Sequence, residues 1–148
     1  MNNSKKINDK GFSLIELIVV IAIMVVLVAI LSPVFTRFIE QGRRATDLTN
    51  ANTIASAILI DIESGDFKGT AATDNPADID ETAFKSIGSL PEIQGTGFTD
   101  YHFTYQFSSS KHTVDVYIEK TGGTPASVKL TDPDVAKNYK DQTGAFAD

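Results

Sequence analysis

A chain of 148 residues has room for one domain, and its 42% hydrophobic content is ordinary for a globular protein. The absence of cysteine excludes a disulfide framework, a thiolate zinc site and a cysteine nucleophile. The formal net charge of -6 argues against nucleic-acid binding as the main task of the soluble part, because such binding relies on clustered Lys and Arg.

The chain opens with a polar stretch, residues 1–11, that carries Lys5, Lys6 and Lys10 and cannot form a core. From Phe12 to Leu31 follow 20 residues of which only Ser13 and Glu16 are polar. A helix of that length spans roughly 30 Å, the hydrocarbon thickness of a bilayer. The run is too long for an ordinary secretory signal and lacks a small-residue cleavage site. A plain membrane anchor explains the length, but it leaves Glu16 unexplained. A charged carboxylate costs on the order of 2.5 to 3.5 kcal/mol at mid-membrane and less near an end. Its helical neighbours Phe12, Ser13, Val19 and Val20 include no cation. A cut between Gly11 and Phe12 creates an α-amino group one turn away, and an amine on an adjacent copy serves equally.

The segment Lys10-Gly11-Phe12-Ser13-Leu14-Ile15-Glu16 resembles the class III leader junction of type IV pilins and type II secretion pseudopilins. The resemblance covers Lys10 to about Phe38 and implies that a prepilin peptidase cuts after Gly11 and that Phe12 becomes N-methylated. It also implies that Glu16 pairs with the N-terminus of a neighbouring subunit and that Pro33 bends or opens the helix. Many relatives carry a glycine where this chain has Val25, which makes local melting less assured. The precursor is expected in the cell membrane with a cytoplasmic leader. The assembled homo-oligomer is expected to be a helical surface filament built by pilus assembly machinery.

Beyond Pro33 apolar residues recur at three- and four-residue steps through Phe35, Phe38, Ile39, Leu48, Ala51, Ile54, Ala55, Ile58, Leu59 and Ile62, one face of a continuing helix. Arg43, Arg44, Asp47, Asn50, Asn52 and Asp61 are assigned to its wetter faces, with the two arginines at the membrane boundary or between subunits, opposite residues such as Glu40 and Asp47. Gly65 is the stop signal. A helix from Phe12 to about Glu63 has 52 residues, a length near 80 Å. Between Phe12 and Leu31 it bears 16 large apolar side chains, and at about 1.5 kcal/mol or more each they represent upwards of about 20 kcal/mol of burial. Lipid or copies of the same chain must supply it.

Residues 64–97 are rich in Gly, Thr, Asp, Ala and Pro and are expected to form a long surface loop with one short helical turn near Ala83–Ile87. Two strands follow, over Tyr101–Phe107 and Val114–Glu119, then a third over Ala126–Thr131, as an antiparallel meander. The polar tail from Asp132 to Asp148 has Val135, Tyr139 and Phe146 as anchors. Many pilins staple this region with a disulfide, so hydrogen bonds or packing must replace it here. The expected fold is α+β, with a leader at 1–11, a hydrophobic transmembrane and filament-core helix at 12–33, an amphipathic half at 34–64 and a soluble head at 65–148.

No catalytic constellation or cofactor motif is present. His102 and His112 form a metal pair only if a hairpin brings them together. Asp74, Asp78, Asp80 and Glu81 form an acidic cluster without the glycine and closing glutamate of an EF-hand, and Asp132 and Asp134 a second one. The leading expectation is a structural pilus subunit serving adhesion, twitching motility or aggregation, with no enzyme activity and no direct nucleic-acid contact. The alternatives are a pseudopilin of a secretion or competence system and a single-pass membrane-anchored binding protein.

Overall fold

The computed structural model describes residues 12–122 and 127–146, so Gly11 and the rest of the leader lie outside the described residues. Helix α1 runs over Leu14–Ser64 and continues through Pro33. The chain divides into two units, one ending at Arg37 and one starting at Phe38.

In the first unit every described residue is exposed, and exposure persists through Ile39; at Glu40 burial begins abruptly. From there α1 buries Glu40, Arg44, Asp47, Ala51, Ile54, Ile58 and Asp61, alternating steps of four and three residues along one seam. The seam is apolar only in its middle. Arg44, Asp47 and Asp61, assigned from sequence to wet faces, are 1%, 0% and 1% exposed. The reason is that the loop facing α1 brings backbone N–H groups with few partners of their own, and buried donors require acceptors. Helix carboxylates supply them.

Gly65, at φ 76°, ends α1 as expected. The long connection to the sheet is irregular, but it is not a surface loop throughout: Ile79, Phe84, Ile87 and Ile93 enter the core. The expected helical turn near Ala83 is a hydrogen-bonded turn, closed by Ala83 N–H donating to the Asp80 carbonyl at 3.0 Å.

The sheet has four antiparallel strands in the order β1 (Ala77–Asp78), β2 (Tyr101–Ser108), β3 (Thr113–Lys120) and β4 (Val128–Lys129). The β2–β3 hairpin pairs Tyr101 with Lys120 and Ser108 with Thr113. Alternation directs Phe103, Tyr105 and Phe107 of β2 and Val114, Val116 and Ile118 of β3 into the core with Ala51, Ile54 and Ile58 of α1. Strand β1 went unpredicted because two residues carry no period. The third expected strand, whose first residue Ala126 lies outside the described residues, shrinks to β4: beyond Leu130 the ladder ends because Val116 N–H donates to the Thr131 side-chain Oγ1 at 3.2 Å and not to a backbone carbonyl.

The tail folds into helix α2 (Pro133–Asp141) and a single 3₁₀ turn (Gly144–Phe146). Asp132 caps α2 by accepting from Asp134 N–H at 3.0 Å and Val135 N–H at 3.1 Å, with Pro133 in the first turn where no N–H is needed. The Asp132-Pro133-Asp134 cluster therefore starts a helix.

Candidate functional site

The N-terminal junction is built at the start of α1. Phe12 precedes the helix and is 89% exposed. Ser13, Leu14, Ile15 and Glu16 have the spacing of a capping box, and the Ser13 N–H donates to Glu16 Oε2 at 2.9 Å. Glu16 thus satisfies one of the orphan donors of the helix end and places a carboxylate in the first turn, where the helix dipole favours it. A free amine at Phe12 would lie next to that carboxylate. Downstream, the large apolar side chains from Leu14 to Leu31 are all exposed, between 46% and 74%. Helix α1 is long and apolar enough in this part to cross a membrane. Pro33 has no N–H, so the Ala29 carbonyl lacks its usual helical donor, and Thr36 Oγ1 donates to the neighbouring Ser32 carbonyl at 3.0 Å.

The second constellation holds the head on the other end of α1. Glu40 accepts from Thr96 N–H at 2.8 Å, Thr96 Oγ1 at 2.6 Å and Arg44 Nε at 2.7 Å. Asp47 accepts from the N–H groups of Gln94 at 2.7 Å and Gly95 at 2.9 Å and from the Tyr139 hydroxyl at 2.8 Å. Asp61 accepts from Ser86 N–H at 2.7 Å and Ser86 Oγ at 2.6 Å. Burial opposes ionisation of Glu40 and Asp61, but the Thr96 and Arg44 donors at one and the Ser86 donors at the other outweigh it and hold both carboxyls below their usual range. Burial and the bond to Asp47 push the Tyr139 phenol far up, which keeps it a proton donor.

Arg44 donates to the carbonyls of Tyr139 at 3.1 Å and Phe146 at 3.3 Å, and its guanidinium lies over the rings of Phe98 and Tyr139 at 5.5 and 5.3 Å. It ties α1 to a segment 95 residues away and takes the place of the missing disulfide. The expectation that Arg44 sits at the membrane boundary or between subunits is thereby corrected: its partner is indeed Glu40, but inside the head. Arg43 remains exposed, with Nη1 3.5 Å from Thr96 Oγ1.

The other candidates disperse. His102 bonds Asp78 at 2.8 Å and Thr121 at 3.2 Å. His112 sits in the turn at the far end of β2, about 20 Å away at ~3.3 Å per residue. Asp80 caps its own turn through Thr82, and Glu81 accepts from Leu90 N–H. Among the described residues no group of three or more His, Asp or Glu gathers in a metal-binding arrangement.

Residues 6–32 match the family described as the prokaryotic N-terminal methylation motif. The chain carries a class III prepilin leader. This supports the type IV pilin and pseudopilin family, and the prepilin leader implies processing by prepilin peptidase and handling by an assembly machinery. The apolar helix and the leader together fit a membrane-anchored precursor. No solved structure matches the chain.

Proposed function

We propose that the chain is a structural subunit of a type IV pilus filament, cut after Gly11, methylated on Phe12 and polymerised through the first half of α1. The observation that carries this is the coincidence of the methylation motif with a helix whose residues from Leu14 to Ile39 are all exposed. Lipid covers that surface in the precursor, and sister helices cover it in the fibre. Glu16 is the charge partner of a neighbouring Phe12 amine, and Pro33 is the point at which the helix yields during packing. The surface filament serves adhesion, twitching motility or aggregation, and the subunit itself is not a catalyst. Removing residues 1–11 takes away three lysines and one aspartate, which moves the net charge from -6 to -8 and makes direct nucleic-acid binding by the subunit less favourable.

The motif serves a pseudopilin equally, and the length of the fibre separates the two. N-terminal sequencing of material sheared from cells tests the main reading: the expected start is methyl-phenylalanine at Phe12, and a chain that still begins at Met1 and is never found in a fibre or short piston overturns it. Glu16→Ala is expected to abolish assembly while leaving insertion and leader cleavage intact. A single-pass anchored binding protein would show no change.

A further inference from the structure

Away from α1, the open end of the sheet gathers three side chains suited to proton transfer. His102, the second residue of β2, is held between Asp78 of β1 and Thr121, the residue that follows β3. Its Nε2 lies 2.8 Å from Asp78 Oδ1 and its Nδ1 lies 3.2 Å from Thr121 Oγ1. The backbone places all three. Asp78 pairs with Thr104 on one side of β2, and on the other side the Thr121 N–H donates to the Asp100 carbonyl at 2.8 Å.

The partners dictate where the protons sit. A carboxylate only accepts, so in the neutral ring Nε2 carries the hydrogen and Nδ1 is left with its lone pair. The Thr121 hydroxyl then donates to Nδ1. A hydroxyl within about 2.6–3.2 Å of a base, with a third group orienting that base, is the arrangement that makes a weak nucleophile reactive. Thr121 is exposed, so an electrophile can reach it. His102 also lines a groove of about 350 Å³ together with Leu90, Pro91, Ile93, Thr99 and Phe103. The apolar side of that groove suits a short acyl chain, and the imidazole stands at its wall.

We propose that Thr121 is an acyl-acceptor site, a hydroxyl readied by His102 to take an acyl group from an activated ester. Thr121 Oγ1 attacks the carbonyl carbon of the donor and forms a new C–O bond, while its proton passes to His102 Nδ1. Collapse of the tetrahedral adduct breaks the bond to the leaving alcohol, which takes the proton back from Nδ1. Asp78 is a positioning residue: it keeps the ring in the required tautomer and balances the transient imidazolium. The product is one ester on Thr121, so the chain is the acceptor and not the enzyme, in keeping with a structural subunit.

In the test, detergent-held full-length chain is incubated with p-nitrophenyl acetate, and the acetylated residues are mapped by peptide mass spectrometry. Thr99 is the internal control, an exposed hydroxyl on the same groove that is not bonded to the imidazole. Acetylation of Thr121 is expected to be about tenfold or more faster than that of Thr99, since a positioned base contributes roughly 10²–10⁴-fold. His102→Gln is expected to bring Thr121 down to the Thr99 rate. Asp78→Asn is expected to slow it by about tenfold or more, and Asp78→Glu, which keeps a carboxylate, to retain more of the rate. The side chains of Asp78 and His102 are 86% and 39% exposed, so the melting temperature of each variant should stay near wild type, and a fall in labelling then reports chemistry and not unfolding. Equal labelling of Thr121 and Thr99 in the wild-type chain overturns the proposal without recourse to any variant. An unchanged Thr121 rate in His102→Gln or Asp78→Asn overturns it as well.

Discussion

The two halves of α1 solve opposite problems with the same backbone. From Leu14 to Ile39 the helix is almost wholly apolar and every residue of it is exposed among the described residues, whereas from Glu40 onward it has a buried seam that holds three carboxylates and an arginine. An apolar surface without a partner is a requirement for association, since burial of each large side chain stabilises by about 1.5 kcal/mol or more. A buried carboxylate has the reverse logic: it is costly alone and tolerable only when its donors are fixed in place. The first half therefore specifies that other molecules come, and the second half specifies how one head is held on its own helix. The irregular loop from Phe84 to Phe98 has little ladder of its own, and Glu40, Asp47 and Asp61 provide acceptors for it at three levels of the helix.

The sharpest way to break this contrast is Arg44→Ala. It leaves Glu40 buried without its guanidinium and withdraws the donor shared by the Tyr139 and Phe146 carbonyls. Loss of one member of a buried pair costs about 3–5 kcal/mol, a large share of a domain's ordinary stability of roughly 5–15 kcal/mol. Chemical denaturation of the detergent-held chain should show the head unfolding at much lower denaturant, while the helicity of the first half persists. An unchanged midpoint would mean that the arginine is incidental to holding the tail.

Acid comes next, because it acts on more than one carboxylate at once. Glu40 and Asp61 have folded-state values below their reference values of 4.5 and 3.8. Their contribution is thus fully present above those references and is lost as pH falls through the lowered folded values. Stability of the head should be level from neutral pH down to about 5 and decline below about 4.5. Asp61→Asn should make that decline shallower, and a decline beginning at neutral pH would point to other groups.

Gly95→Ala probes the same clamp from the loop side. A Cβ at Gly95 would come within 2.5 Å of the Tyr139 hydroxyl and 3.2 Å of both Arg44 Cγ and Asp47 Oδ2. The Tyr139 ring cannot simply retreat, since Phe98 and Phe146 pack against it at 5.2 and 5.5 Å. The expected loss is about 1–3 kcal/mol, read as a lowered melting temperature with normal leader cleavage.

These positions also mark what the sequence conceals. Apolar periodicity made α1 legible, alternation of aromatics made β2 and β3 legible, and the spacing of Gly11, Phe12 and Glu16 pointed to the leader that the motif match supports. The clamp was not legible by hydrophobicity, because Arg44, Asp47 and Asp61 look like solvent residues. A signal was nevertheless present: they fall at the same three- and four-residue steps as Ala51, Ile54 and Ile58, and Glu40 precedes Arg44 by four. Helix α2 was similarly announced by Asp132-Pro133, a cap followed by proline in the first turn, in a segment whose few apolar residues gave no period. Charged residues in phase with a core stripe, facing a loop rich in glycine and hydroxyl residues, are the pattern that exposes such a clamp.

The smallest expected effect sharpens the contrast most economically, because it repeats the spacing of the Glu40–Arg44 pair without the burial. Lys137 and Asp141 on α2 are also four apart and bonded at 3.0 Å, close to the 2.7 Å of the buried pair. Their side chains are 72% and 37% exposed, against 10% and 1% for Glu40 and Arg44. The order is also reversed, with the cation N-terminal to the anion, which is the weaker arrangement on a helix. Water screens the charges, and removal of one partner leaves the other solvated. Lys137→Ala should therefore change stability by no more than about 0.5 kcal/mol, even though the bond it removes has nearly the length of the one whose loss is expected to destabilise the head strongly. A loss comparable to that of Arg44→Ala would show that helical spacing, and not burial, sets the strength of these pairs.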